Sequence, residues 1–282
     1  MAPQPALAAG RRVRGVLHGL ALGATLYGFL VVVFVLTLPI LWNLRWTRAV
    51  IRRAARIMVP LALAAGGVRL RHAGLAHARA LEESGRGYIL IANHASNLDP
   101  LVLMHVLGRV DLAFVAKAET LRRPLLGRLL RAIGWFAVER ESPIAFKRFH
   151  EEVERRRRDG WVPDLVIFPE GTRSGDGTLQ PFRMGTFLLA ARARLPILPV
   201  IIRGTAVVHR KNAFACYPGP VRVDVLPAIE PPARFKPVEL LDRVAELQAR
   251  AEAIYQAVPD LNRAEGDLPE PVLVQSPSES LS

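Results

Sequence analysis

The sequence predicts an α/β domain with a largely parallel sheet flanked by helices, attached to an N-terminal hydrophobic helical membrane anchor. Three observations predict it. Residues 15–44 contain no Asp, Glu, Lys or Arg. From about residue 69 short apolar runs alternate with segments of helical periodicity, the pattern of a parallel sheet with crossover helices. Two polar, Gly- or Asn-containing motifs stand directly after such runs, where strand-to-helix loops of a parallel sheet carry ligands. Three segments follow: membrane-associated helices over 1–68, the α/β domain over 69–261, and a Pro-, Ser- and Glu-rich tail over 262–282 whose composition predicts disorder.

The uncharged run exceeds the roughly 20 apolar residues that a helix needs to cross a bilayer. Arg11, Arg12 and Arg14 precede it, and Tyr27, Trp42 and Trp46 are placed as interfacial anchors. It is too long for a signal peptide and lacks a convincing cleavage site. The next stretch interleaves Arg45, Arg48, Arg52, Arg53 and Arg56 with Val50, Ile51, Ala54 and Ile57, which suits a helix lying in the headgroup layer or packed on the domain. The apolar patch at 57–68 is too short to span. Whether the first run spans or dips in and returns near Pro39, the arginines after it place the main domain on the cytoplasmic side of the inner membrane.

Within the domain, strands are expected at 88–92, 112–116, 135–138, 165–168, 197–202 and 221–226. Helices are expected at 100–107, 120–133, 143–158, 185–194 and 237–257. The formal net charge of +13 and mean hydropathy of +0.21 point to an anionic partner, without choosing among phospholipid, acidic substrate and nucleic acid. The run Glu151–Arg158 reads as a solvated helix end and not as a nucleic-acid site. Cys216 is the only cysteine, so no intrachain disulfide framework and no cysteine-based zinc site is available.

Chemistry concentrates in two motifs. NHASNLDP, 93–100, follows the run YILIA. Four residues separate His94 from Asp99, so a turn can fold the carboxylate onto the imidazole, fix its tautomer and leave the other nitrogen free to take a proton. Such a pair is common by chance and gains weight only in company. FPEGTRS, 168–174, follows LVIF and exposes Glu170, Thr172 and Arg173 on a tight turn at Gly171. Arg173 offers a planar fork suited to phosphate, while Glu170 can accept from a hydroxyl, orient a base or simply pair with Arg173. Lys117 and Arg140 close two further strands and emerge at the same sheet edge. Arg122, Arg123, Arg128 and Arg131 on the intervening segment read as surface or headgroup contacts.

Four blocks in this order, NHASNLD, GWFAVER, FPEGTRS and LPILPV, resemble the glycerolipid acyltransferase family, in its 1-acyl-glycerol-3-phosphate acyltransferase branch. The resemblance covers roughly 70–230 and extends to the hydrophobic N-terminal helices. It implies His94 as base and Asp99 as its partner. It implies Lys117, Arg140, Glu170, Gly171, Thr172 and Arg173 as substrate-binding positions. Glu139 stands where an aspartate is common. The implied reaction moves a fatty-acyl group from acyl-CoA or acyl-carrier protein to the free hydroxyl of 1-acyl-glycerol-3-phosphate. The alternative is the same transfer onto another lysolipid, such as lyso-ornithine lipid or a lysophospholipid. Membrane phospholipid, the lysolipid acceptor and the acyl donor are the expected partners, with no nucleic acid, metal or cofactor. No Gly-x-Ser-x-Gly elbow favours a hydrolase, and a basic membrane-surface protein without activity leaves the four ordered blocks unexplained.

Overall fold

The computed structural model describes residues 5–37, 44–139, 143–162, 164–174, 178–232 and 237–258. Two helices lead, α1 (Pro5–Thr37) and α2 (Leu44–Ala65). Strand β1 (Val68–Ala73), helix α3 (Leu75–Ser84), strand β2 (Tyr88–Ala92), helix α4 (Asp99–Val106) and strand β3 (Ala113–Lys117) follow. Helices α5 (Ala118–Arg122) and α6 (Pro124–Ala132) lead to strand β4 (Phe136–Val138), helix α7 (Pro143–Arg158) and strand β5 (Asp164–Ile167). Helix α8 (Met184–Ala193), strand β6 (Ile197–Arg203), short helix α9 (Thr205–Val208) and strand β7 (Gly219–Val225) complete the sheet. A single 3-10 turn (Pro237–Glu239) opens α10 (Leu240–Gln256).

The seven strands form one sheet in the order β1-β7-β6-β2-β5-β3-β4. The five from β6 to β4 are mutually parallel, while β7 pairs antiparallel with β6 and β1 runs with β7. Both faces are covered, which is why β2 and β6 read as unbroken apolar runs: every residue of each is buried. Period-2 alternation sends Leu90 and Ala92 to the face packed by α2 and α4, where Val59, Leu63, Val102 and Leu103 lie. Ile89 and Ile91 face the opposite layer, with Phe149 of α7, Phe187 of α8 and Val244 and Leu247 of α10. Tyr255 of α10 is buried, and its hydroxyl bonds to Ile91 O at 2.7 Å and Val200 O at 3.0 Å, pinning the two central strands beside the site.

Helices α3 and α9 were not expected, and two further elements differ from expectation for identifiable reasons. Strand β1, VRLRHA, was not expected, because its arginines sit at exposed positions of an edge strand and dilute the apolar signal. The helix expected over 120–133 is two helices. Arg123 is extended (φ −62°, ψ 128°) ahead of Pro124, whose ring disfavours a helical predecessor.

Helix α1 is long and apolar enough to cross a membrane over Gly10–Val33. It begins earlier than the uncharged run, and its first half is seated on the domain. The backbone passes so close to the 214–217 segment that a Cβ on Gly19 would meet Phe214 O at 2.3 Å, and Cys216 N–H donates to Gly15 O at 2.9 Å. Val13, Leu17, Leu20, Tyr27, Val31 and Val35 remain exposed along one helical stripe. On α2, Trp46, Ile57 and Leu61 are exposed, while Arg48 donates to Ala132 O at 2.7 Å and Arg52 pairs with Asp111 at 3.8 Å. That helix therefore turns two of its arginines to the domain. Trp42, the turn near Pro39 and the expected tail lie outside the described residues.

Candidate active site

Strand β2 delivers Asn93 and His94 to the edge where the parallel strands end. Asn93 is buried, and its amide donates to Ile202 O at 2.7 Å and accepts from Ile202 N–H at 2.8 Å. This two-way bond replaces the next rung of the β2–β6 ladder and fixes where the loop departs. The chain then turns, and Asp99 opens α4 with Pro100 behind it, so the carboxylate sits at the positive end of a helix.

Asp99 Oδ2 accepts three hydrogen bonds, each 2.8 Å long: from His94 Nδ1 and from the backbone N–H of Ala95 and Ser96. An ionised carboxylate can only accept, so Nδ1 carries the proton and Nε2 keeps its lone pair. The Asp99 side chain is 1% exposed and that of His94 15%, so the buried acid orients a partly accessible imidazole. Phe168 stacks on the imidazole at 4.0 Å with 16° between the planes, which limits rotation of the ring. The sequence pairing of His94 with Asp99 is therefore realised directly.

The motif after β5 locks onto this loop. Glu170 is buried; Oε1 accepts from His94 N–H at 2.7 Å and Oε2 from Gln180 N–H at 2.9 Å. Both oxygens of Glu170 are thus engaged by backbone, which makes it a tie between the two motifs. Burial pushes its carboxyl up to about 7, against the pull of the Gln180 and His94 donors, with the Asp99 charge adding to the rise. Below that value one of the two oxygens carries a proton, and its N–H partner faces a hydroxyl, a weaker acceptor than a carboxylate oxygen. The group binds a proton in the fold between about 4.5 and 7 that the unfolded chain does not, so this site's contribution to stability declines as pH rises through that window. Glu170→Gln removes that slope and sets an amide NH2 against a backbone donor. The expected result is a kcat lower by about ten- to hundredfold, from about 1–3 kcal/mol of lost or unsatisfied bonding. Wild-type turnover, or an unchanged slope of stability between pH 4.5 and 7, would contradict this role.

Gly171 has φ 70°, a conformation that L side chains rarely adopt, and a Cβ there would also displace the exposed Arg183 side chain, whose Nε would lie 2.5 Å away. Thr172 is exposed. Ser174 N–H donates to His94 O at 2.9 Å, which brings the Arg173 backbone to within one residue of a direct tie to His94. The Arg173 Nη1 atom is buried with no hydrogen-bond partner among the described residues, and Nη2 makes a long 3.5 Å contact with Asn212. Lys117 lies exposed at the end of β3, on the same edge, and Arg140 lies outside the described residues. Arg122 pairs with Glu139 at 2.6 Å and Arg131 bonds to Leu121 O, so both contact the domain itself.

The sequence did not single out Ser96 or His209. Ser96 is buried, and its hydroxyl donates to His209 O at 2.8 Å with His209 Nδ1 at 3.4 Å. Burial, and then the nearby Arg173 charge, hold the His209 imidazole below its ordinary range. No local pattern marks a contact between residues 113 positions apart in the chain; only the topology, which ends β6 at the same edge, reveals it.

Residues 69–203 match the family model described as Acyltransferase. A 1-acyl-sn-glycerol-3-phosphate acyltransferase of Limnanthes alba is 38% identical over 148 residues, 52% of each chain. The human 1-acyl-sn-glycerol-3-phosphate acyltransferase beta is 34% identical over 152 residues, 54% of this chain and 53% of that one. The chain thus spans about half the length of these curated relatives. In structure, the 1-acyl-sn-glycerophosphate acyltransferase PlsC from Thermotoga maritima superposes with a TM-score of 0.67 at 22% identity, over 88% of this chain and 98% of that one, and shares its fold. The matched segment, slightly less than half of this chain, contains the His94–Asp99 pair, Lys117 and the Glu170–Arg173 turn.

Proposed function

We propose that the protein is an O-acyltransferase that moves a fatty-acyl group from acyl-CoA or acyl-carrier protein to the free hydroxyl of 1-acyl-glycerol-3-phosphate, giving phosphatidic acid. The observation that carries this reading is the tie between base and anion-binding turn: Ser174 N–H on His94 O holds Arg173 beside His94. His94 Nε2 takes the proton of the acceptor hydroxyl as its oxygen attacks the thioester carbonyl carbon. The imidazolium is stabilised by Asp99. Collapse of the tetrahedral centre breaks the C–S bond, and the leaving thiolate takes the proton back from His94. A thiolate is a good leaving group, so the step calls for neither a covalent acyl-enzyme nor a cofactor. Arg173, Lys117 and Arg140 hold the acceptor phosphate, with Gly171 and Thr172 shaping the turn that presents Arg173.

In this reading residues 1–68 attach the domain of 69–261 to the cytoplasmic face of the membrane, and the acceptor is drawn from the bilayer. The exposed stripes of α1 and α2 support this. Removal of residues 1–44 is expected to abolish salt-resistant flotation with vesicles; carbonate-resistant binding of the truncated protein would contradict that assignment.

Arg173→Ala is expected to raise KM for a phosphate-bearing acceptor far more than for the donor. Charge-assisted bonds contribute about 1.5–3 kcal/mol, or roughly ten- to over a hundredfold in binding. Arg173→Lys is expected to restore part of this, since it keeps the charge and loses the fork. Steady-state kinetics with each substrate varied in turn provide the check. A defect confined to the donor's KM would move Arg173 to the thioester carrier.

A further inference from the structure

The segment after β6 brings a second cation to Arg173. Residues 210–213 form a turn, closed by Ala213 N–H on Arg210 O at 3.1 Å, with Asn212 at φ 62°. This left-handed conformation is one that asparagine tolerates better than most residues. The turn is fastened at two points to the site. Ser96 of the His94 loop donates to His209 O at 2.8 Å, and Lys211 Nζ donates to Arg173 O at 2.9 Å. The Asn212 side-chain oxygen faces Arg173 Nη2 at 3.5 Å, while Nη1 is buried with no partner among the described residues.

Charge makes this arrangement notable. Arg173 and Lys211 are neighbours, Arg210 and His209 adjoin them, and no carboxylate pairs with Arg173 or Lys211 among the described residues. Elsewhere in the protein the half-buried arginines are matched: Arg109 meets Glu82, Asp111 and Asp164, and Arg203 and Arg222 meet Asp224. Two like charges held together without a counter-charge repel each other, and a partly buried guanidinium N–H without an acceptor forgoes a strong bond. An anion of more than one charge resolves both. A phosphate monoester carries about −1.5 to −2 at neutral pH, whereas a diester carries one charge.

We propose that the 210–213 turn, with His209 before it, is a second wall of the acceptor site, in which Lys211 supplies a cation beside Arg173 that selects phosphate monoesters over diesters and Asn212 positions the Arg173 fork. This rests on the acyltransferase reading and deepens it, since it assigns acceptor choice to residues outside the four sequence blocks. Lys211 is a specificity-determining residue here, and Asn212 a positioning residue.

The test compares full-length wild type with Lys211→Gln, which keeps a donor for Arg173 O but not the charge, and Lys211→Arg, which keeps the charge. With one acyl donor, kcat/KM is measured for 1-acyl-glycerol-3-phosphate and for lysophosphatidylglycerol, a diester. The ratio of the two cancels the donor, the base and the folded fraction. Lys211→Gln is expected to lower the monoester-to-diester ratio about tenfold or more, and Lys211→Arg to keep it within about threefold of wild type. An unchanged ratio in Lys211→Gln, with or without a fall in both rates, overturns the proposal and leaves the turn a structural strap. Flotation with phosphatidylglycerol vesicles separates the other anionic source: reduced flotation of Lys211→Gln with an unchanged ratio assigns Lys211 to the membrane surface and also overturns it. If the wild type transfers to no phosphate monoester, the reaction assigned above fails on its own. Calorimetric binding of sn-glycerol 3-phosphate then decides the site: binding that is lost in Lys211→Gln upholds it, and no binding to wild type overturns it.

Discussion

His94→Ala is expected to lower kcat by about 10³-fold while the protein stays folded and bound to membranes. A positioned general base contributes roughly 10²–10⁴-fold. An acceptor hydroxyl is a poor nucleophile without one, and among the described residues no second imidazole hydrogen-bonds Asp99. The fold tolerates the change because the side chain lies at the rim of the core: its main packing partner is Phe168, and loss of that stacked contact costs about 1 kcal/mol. Backbone anchors of the loop, His94 N–H on Glu170 and His94 O from Ser174, survive the substitution. The KM of the acceptor should therefore shift much less than kcat. Added imidazole should restore part of the turnover by entering the space left by the ring. Turnover within about tenfold of wild type would remove His94 as the base.

Asp99→Asn is expected to cost both turnover and stability. The carboxylate accepts three hydrogen bonds on one oxygen, and its other oxygen, Oδ1, is buried with no partner among the described residues. An asparagine can keep its carbonyl toward the three donors only by placing its NH2 at the Oδ1 position, which is buried and has no hydrogen-bond partner among the described residues. Turned the other way, the NH2 faces the Ala95 and Ser96 donors and forces His94 to accept at Nδ1, which puts the proton on Nε2 and abolishes the base. Either orientation removes the charge that steadies the imidazolium. The expected fall in kcat is about 10²–10⁴-fold, with about 2–4 kcal/mol of stability lost from unsatisfied buried donors. The double variant with His94→Ala should be scarcely slower than His94→Ala alone, because Asp99 acts through the imidazole. Additive losses in the double variant would show that Asp99 has a separate task.

What the sequence made legible was local. Strand β2 follows from YILIA with both faces buried, and the His94–Asp99 turn follows from the spacing between that strand and an apolar helix opened by Pro100. The boundaries of α7 over 143–158 agree because its amphipathic pattern and flanking turn residues are strong. Glu170 was visible as a charged residue after a strand, but its engagement by His94 and Gln180 backbone was not, since nothing local distinguishes a carboxylate aimed at ligand from one aimed at N–H groups. The docking of Gly15 and Gly19 against 214–217 was equally hidden. In an uncharged run small residues read as membrane helix, and only the fold shows which of them admit a neighbouring chain. The 210–213 turn, with His209 before it, escaped for the same reason: its relation to Ser96 and Arg173 is set by β6 ending beside β2.

The most direct test of the central claim follows one acyl group. The purified full-length protein in neutral-lipid vesicles is given 1-acyl-glycerol-3-phosphate and an acyl thioester labelled in the acyl chain, once as acyl-CoA and once as acyl-carrier protein. The account predicts that label appears in phosphatidic acid in step with free thiol, from at least one donor, and that His94→Ala abolishes both signals. Thiol release accompanied by labelled free fatty acid and no labelled phosphatidic acid would contradict it, and would make the His94–Asp99 pair the base of a hydrolase.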